Sequence, residues 1–200
     1  MTLGLRTLVL NADYQPINLV PNPQTIPVED AITRVYNGTC HVVAEYDRYV
    51  KTQNPDLQMK FPSVVARTQM LTRKEEIGFS REFLYYRDHG KCAYSGRPLS
   101  LKDSSPDYIT IDHVIPQHAG GKTTWDNVVA SHSSLNHAKG GSMPVGEWSP
   151  KIKPFAPTYW QLAANRRKFP IFIDDPSWME FLYDWVGEVI LRKHPLITPR

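Results

Sequence analysis

Apolar and polar residues alternate in short runs along the first third of the chain. Thr7–Leu10, Ile17–Val20 and Cys40–Ala44 each carry the two-residue period of a strand. Between them Val28, Ile32 and Val35 recur at helical spacing, with Glu29 and Asp30 placed early, where acids suit the positive end of a helix. Residues 1–78 are therefore expected to form a small α+β arm. A second segment, 79–145, opens on Ser80, a good N-cap, with a helix expected to about Asp88 and a stop at Gly90. Ile109-Thr110-Ile111 alternates and is β-branched, which predicts a short strand ending at Asp112-His113. Pro116 and Gly120-Gly121 break regular structure and set a loop. Thr124–Asn127 reads as that loop closing into a short helix, and a further helix is expected from Ser133 or Ser134.

The last segment, 146–200, holds two helical patterns. One covers Thr158–Lys168. The other starts at Asp175-Pro176, a cap followed by proline at the first helical position, and runs to about Leu191. Trp178, Phe181, Leu182, Trp185 and Val189 make its apolar face, read as core or as a homodimer contact. The fold class expected from the three segments together is α+β, and no internal repeat is present.

The densest chemistry lies in the middle segment. Consecutive residues on a strand point to opposite faces, so Asp112 and His113 cannot do the same job side by side. One can ligate a metal while the other approaches a phosphate from another direction. Asn127 follows and suits holding the loop by side-chain to backbone bonds. The helix from Ser133 would carry Asn136 and His137 back towards Asp112. Taken singly, these residues read as a turn, a surface histidine and a helix cap. Their order and spacing together favour one divalent cation and one activated water.

Asp112-His113-Val114-Ile115-Pro116, Gly120-Gly121, Trp125-Asp126-Asn127 and Asn136-His137-Ala138-Lys139-Gly140 resemble the active site of HNH nucleases. Leu8–Ile17, Val42–Asp47 and Phe61–Val65 are similar to segments of a bacterial and phage HNH endonuclease family. The resemblance spans about residues 5 to 157. It implies a ββα-metal core within 79–145 and a DNA substrate. It also implies Asp112 and Asn136 as ligands of one Mg²⁺ or Mn²⁺, with His137 as the alternative to Asn136. His113 would be the general base, a task suited to the side-chain type that titrates nearest neutrality. Asn127 would position the loop, and Lys139 would contact a phosphate. An inactive nucleic-acid-binding module and a phosphodiesterase acting on RNA are the alternatives. A binding module has no need of Asp112, His113, Asn127 and Asn136 together.

Members of that family commonly carry two Cys-x-x-Cys knuckles around a structural zinc. Here the knuckles read Cys92-Ala93-Tyr94-Ser95 and His132-Ser133-Ser134-Leu135. Cys92 and His132 remain as donors, with His89 or Cys40 as candidates to complete them, and a closed site needs four. The expectation is no structural zinc, with Leu135 buried against the helix that follows Ser80.

Composition adds little until it is divided by segment. The net charge is +3, and the excess falls in the last fifty residues. Lys151, Lys153, Arg166, Arg167 and Lys168 form a stretch with no acid between them. Such a stretch is a candidate grip on a phosphate backbone, or simply a basic helix end that suits the macrodipole. No run of eighteen apolar residues predicts a membrane span, and the N-terminus lacks a secretory pattern. Two cysteines, Cys40 and Cys92, make no disulfide framework, so an intracellular location is expected.

Overall fold

The computed structural model describes residues 4–50, 59–72 and 77–192. The architecture is α+β, in two compact units: Met1–Lys74 with Arg167–Arg200, and Glu75–Arg166.

The first unit is built on a four-stranded sheet in the order β2-β1-β4-β3. β1 is Arg6–Leu10, β2 Thr25–Pro27, β3 Cys40–Val50 and β4 Met59–Arg67. β1 pairs parallel with β4 and antiparallel with β2, while β3 and β4 are antiparallel. The helix α1, Val28–Tyr36, lies where the apolar spacing put it and buries Val28 and Ala31. Side chains on the central strands alternate between two cores. Val9 and Val65 face Ile17, Ile26, Ala31 and Cys40. Leu8, Leu10, Val64 and Ala66 face Ile171, Ile173, Trp178, Leu182 and Trp185.

Two expectations fail in this unit. Ile17–Val20 is not a strand, because Asn18 adopts φ 54°, outside the extended region. Nor is the aromatic segment after Asp175-Pro176 a long helix. Asp175 does cap a turn, accepting from the Ser177 N–H at 3.0 Å, but the turn is a 3-10 helix that ends at Phe181. Gly187 explains the break. Its N–H bonds to the Arg167 carbonyl at 2.8 Å, and a Cβ there would lie 2.3 Å from the Phe169 carbonyl oxygen. The chain instead turns to pair Val189–Leu191 with Ile171–Ile173 in parallel; these are β8 and β7. Trp178, Leu182 and Trp185 are buried against the sheet of their own unit, so they are core. By compactness Arg167–Arg200 groups with the first unit.

The second unit begins with α2, Arg81–Arg87, whose N-cap Ser80 accepts from the Phe83 N–H at 3.1 Å. Gly90, at φ 66°, follows its end. β5, Ile109–His113, and β6, Val128–His132, form an antiparallel pair with Asp112 opposite Val129 and His113 opposite Val128. α3, Ser133–Lys139, follows directly, which completes a ββα unit. Thr124–Asn127 is a turn rather than the expected short helix, because the β-branched Val128-Val129 continues it as strand. His132, with no side-chain cap bond, takes the N-cap position of α3 expected of a serine. The last helix, α4, Tyr159–Arg166, starts on a reciprocal cap: Thr158 N–H to Gln161 Oε1 at 2.8 Å and Gln161 N–H to Thr158 Oγ1 at 3.2 Å. Leu84, Cys92, Ala93, Ile109 and Val128–Ala130 form the core, with Leu135 half-buried against it.

Candidate active site

The end of β5 presents two neighbouring side chains to different surroundings. Asp112 turns inward and is 3 % exposed, while His113 stays half-exposed. The imidazole Nε2 of His113 lies 2.8 Å from Thr123 Oγ1 and 3.4 Å from Gln117 Nε2.

Asn127 closes the loop that carries Thr123 and Gln117. Its Oδ1 accepts from the Ile115 N–H at 2.9 Å, and its Nδ2 donates to the carbonyls of Ile115 and Lys122 at 3.0 Å each. Its backbone carbonyl accepts from Val114 at 2.8 Å. One side chain thus ties the exit of β5 to the entry of β6. Gly121 is required there, since a Cβ would lie 1.7 Å from the Ile115 carbonyl oxygen.

α3 returns two side chains to the same strand end, because residues three apart share a helix face. Asn136 donates through Nδ2 to Thr110 Oγ1 at 3.2 Å and to the Ile111 carbonyl at 3.1 Å. Both amide protons are thereby used, and the carboxamide oxygen is turned away from those acceptors. His137, one residue on, is exposed. Ser133, Asn136, His137 and Gly140 line a shallow depression.

Lys139 departs from expectation. It is 1 % exposed, and its ammonium lies 3.2 Å and 3.1 Å from the two oxygens of Asp112 and 2.7 Å from the His113 carbonyl. Buried on a carboxylate of its own chain, it is not the surface phosphate contact that its position after Asn136 implied. Tyr94, which sequence reasoning passed over, donates its hydroxyl to Asp112 Oδ2. Burial first, and then the Asp112 carboxylate, push this phenol well above its ordinary pKa, so it remains a donor.

A second network, also missed, lies under the site. Arg87 and Asp88 have fully buried side chains and are paired through two bonds, at 2.7 and 3.0 Å. Arg87 further donates to the carbonyls of Trp125, Phe155 and Val128, and Asp88 accepts from the Ala130 N–H at 2.8 Å. Burial lifts the Asp88 carboxyl above its ordinary value against the pull of Arg87. The pair fixes the Trp125 turn and β6 to the end of α2.

At the knuckle positions the donors of the type zinc takes are Cys92 and His132. Leu135 is aliphatic, and the His132 imidazole Nδ1 lies 3.6 Å from Asp107. Burial raises the Cys92 thiol, but bonds from the side chain and backbone of Ser95 and from the backbones of His132 and Tyr94 outweigh it and hold the thiol below its ordinary pKa. No group of three His, Cys, Asp or Glu side chains suited to a metal occurs among the described residues.

Of the expected phosphate grip, Lys151, Lys153 and Lys168 are exposed. Arg166 is not available to a backbone: it is 3 % exposed, with its guanidinium 5.2 Å from the Tyr86 ring centroid. Arg167 is paired with Asp184 at 2.8 Å. Among the described residues, no helix is long and apolar enough to cross a membrane.

A ββα unit with an Asp-His strand end, an asparagine clasp and a returning helix defines an HNH-type site. Residues 92–141 match the HNH endonuclease family, and residues 7–74 match the HNH endonuclease-associated N-terminal domain. The chain is similar to the CRISPR-associated endonuclease Cas9 of Listeria innocua serovar 6a, at 34% identity over 49% of this chain and 7% of that protein. It is likewise similar to the CRISPR-associated endonuclease Cas9 of Streptococcus mutans serotype c, at 34% identity over 40% of this chain and 6% of that protein. The chain spans less than a tenth of the length of either relative.

Proposed function

We propose that the chain is a metal-dependent endonuclease that hydrolyses DNA phosphodiester bonds with a histidine general base. The observation that carries this reading is the placement of Asp112 and His113 at the end of β5, with Asn136 bonded to the Ile111 carbonyl just before them and Asn127 bracing the loop that follows. Carboxylate and carboxamide oxygens are hard donors that suit Mg²⁺ or Mn²⁺, and Asp112 and Asn136 would hold one such ion. Bound there, the ion supplies charge neutralisation at the scissile phosphate and at the leaving oxygen. His113 takes the proton of the attacking water. Thr123 and Gln117 lie within hydrogen-bond reach of its Nε2 and fix its ring, the orientation that a general base needs. Asn127 keeps the loop bearing those two partners in one conformation. The exposed Lys151, Lys153 and Lys168 supply contacts to the phosphate backbone, which carry no sequence information.

The test uses supercoiled plasmid DNA and a matched RNA, each with Mg²⁺, Mn²⁺ or EDTA. DNA is cleaved with either metal and left intact in EDTA. His113→Ala keeps DNA affinity and loses about 10²–10⁴-fold in cleavage rate, the usual scale for a general base. Full activity in metal-loaded His113→Ala protein removes the base assignment. DNA binding with no cleavage under any metal makes the chain a binding module, and cleavage of RNA alone reassigns the substrate.

A further inference from the structure

We propose that the Lys139 ammonium is the built-in counter-cation of Asp112 and competes with a divalent cation for that carboxylate. The inference rests on the reading of Asp112 as a metal ligand. Lysine is almost never fully buried unless paired, and Lys139 is 1 % exposed. Its pairing is close: both Asp112 oxygens lie within 3.2 Å of Nζ. The His113 carbonyl, 2.7 Å away, takes another of its protons. The position is prepared in the backbone as well. Lys139 is the last residue of α3, where helix carbonyls favour a cation, and it sits three residues after Asn136 on the same face.

An acid as deeply buried as Asp112 is costly when uncompensated. The ammonium removes that cost in the metal-free protein and keeps the carboxylate ordered, with Tyr94 holding Oδ2. The same contact opposes a divalent ion. Two cations within a few ångströms repel even at the effective dielectric of a protein site, so Lys139 must withdraw from Asp112 as the ion binds. Lys139 therefore stabilises the metal-free site and weakens its metal affinity at the same time. A purely structural lysine would do only the first.

Mn²⁺ binding to the full chain without nucleic acid, followed by the paramagnetic resonance of free Mn²⁺, separates the two. Lys139→Met removes the charge, and Lys139→Gln removes it while keeping a donor. Both are expected to bind Mn²⁺ at least about tenfold more tightly than the unsubstituted protein. Both should also melt at lower temperature in chelator and recover on adding Mn²⁺. Asp112→Asn should abolish this binding in each background. A variant that folds only when Mn²⁺ is present meets the expectation, and one that folds in neither condition counts against it. Asp112-dependent binding that is unchanged or weaker in folded Lys139 variants overturns the competition and leaves the ligand assignment standing. Absence of any Asp112-dependent binding in all proteins overturns the ligand assignment and the competition together.

Discussion

Asn136 and His137 leave α3 about 100° apart, so only one of them can face the end of β5. Asn136 is held to Thr110 and Ile111, the two residues before Asp112, whereas His137 is exposed. Asn136→Ala should therefore raise the Mg²⁺ or Mn²⁺ concentration needed for half-maximal cleavage, and His137→Ala should leave it unchanged. A silent Asn136→Ala beside an inactive His137→Ala would transfer the ligand role to the histidine. At this scale the sequence was legible where one residue type has few other reasons to stand in a pattern. Asn127 is of that kind, and the side-chain to backbone bonds expected of it are present. Tyr94 and Lys139 were not legible in their roles. Tyr94 stands in a degenerate knuckle whose other residues drew the attention, and Lys139 reads as a phosphate contact. Only the approach of β5 to both reveals the carboxylate they share.

The pairing of α2 with β6 depends on one buried ion pair. Arg87 and Asp88 have no exposed side-chain surface, and between them they bond to backbone atoms of Trp125, Val128, Ala130 and Phe155. Removing one partner leaves a buried charge uncompensated, so Arg87→Met should cost about 3–5 kcal/mol of stability, read from urea unfolding. Loss of cleavage with unchanged stability would show instead that the pair acts on the chemistry. Elements with their own capping or periodicity were readable from sequence: α1, the Ser80-capped α2, β5 and α4 all lie close to the expected positions. The elements that failed lacked a local reason for their state. The apolar and aromatic spacing after Asp175 fits a helix, but Gly187 packing against the Phe169 carbonyl and the pairing of β8 with β7 decide otherwise. Likewise β4 contains Pro62, which argues against a strand, and it is held in the sheet by β1 and β3 on its two sides.

The first unit is assembled from both ends of the chain, so its stability is a property of distant segments meeting. Leu8, Leu10, Val64 and Ala66 form one apolar sheet face, and Ile171, Ile173, Trp178, Leu182 and Trp185 pack against it. Trp178 is the centre of that packing. It is 3 % exposed, and its indole N–H donates to the Ser63 carbonyl of β4 at 2.9 Å. Trp178→Ala should remove the packing and the bond together, with a loss of about 3–5 kcal/mol for a buried aromatic truncation. Hydrogen exchange separates this from the dimer contact that the aromatic stripe suggested in the sequence. If the stripe is core, amides of β1 and β4 lose protection in Trp178→Ala and the sedimenting mass does not change. If it were an interface between copies, the mass would fall while β1 and β4 stayed protected. That result would also require Trp178 to leave the β4 carbonyl in the dimer, at the cost of an unpaired buried acceptor. Loss of protection confined to β1 and β4 with a constant mass is therefore the outcome expected of this chain.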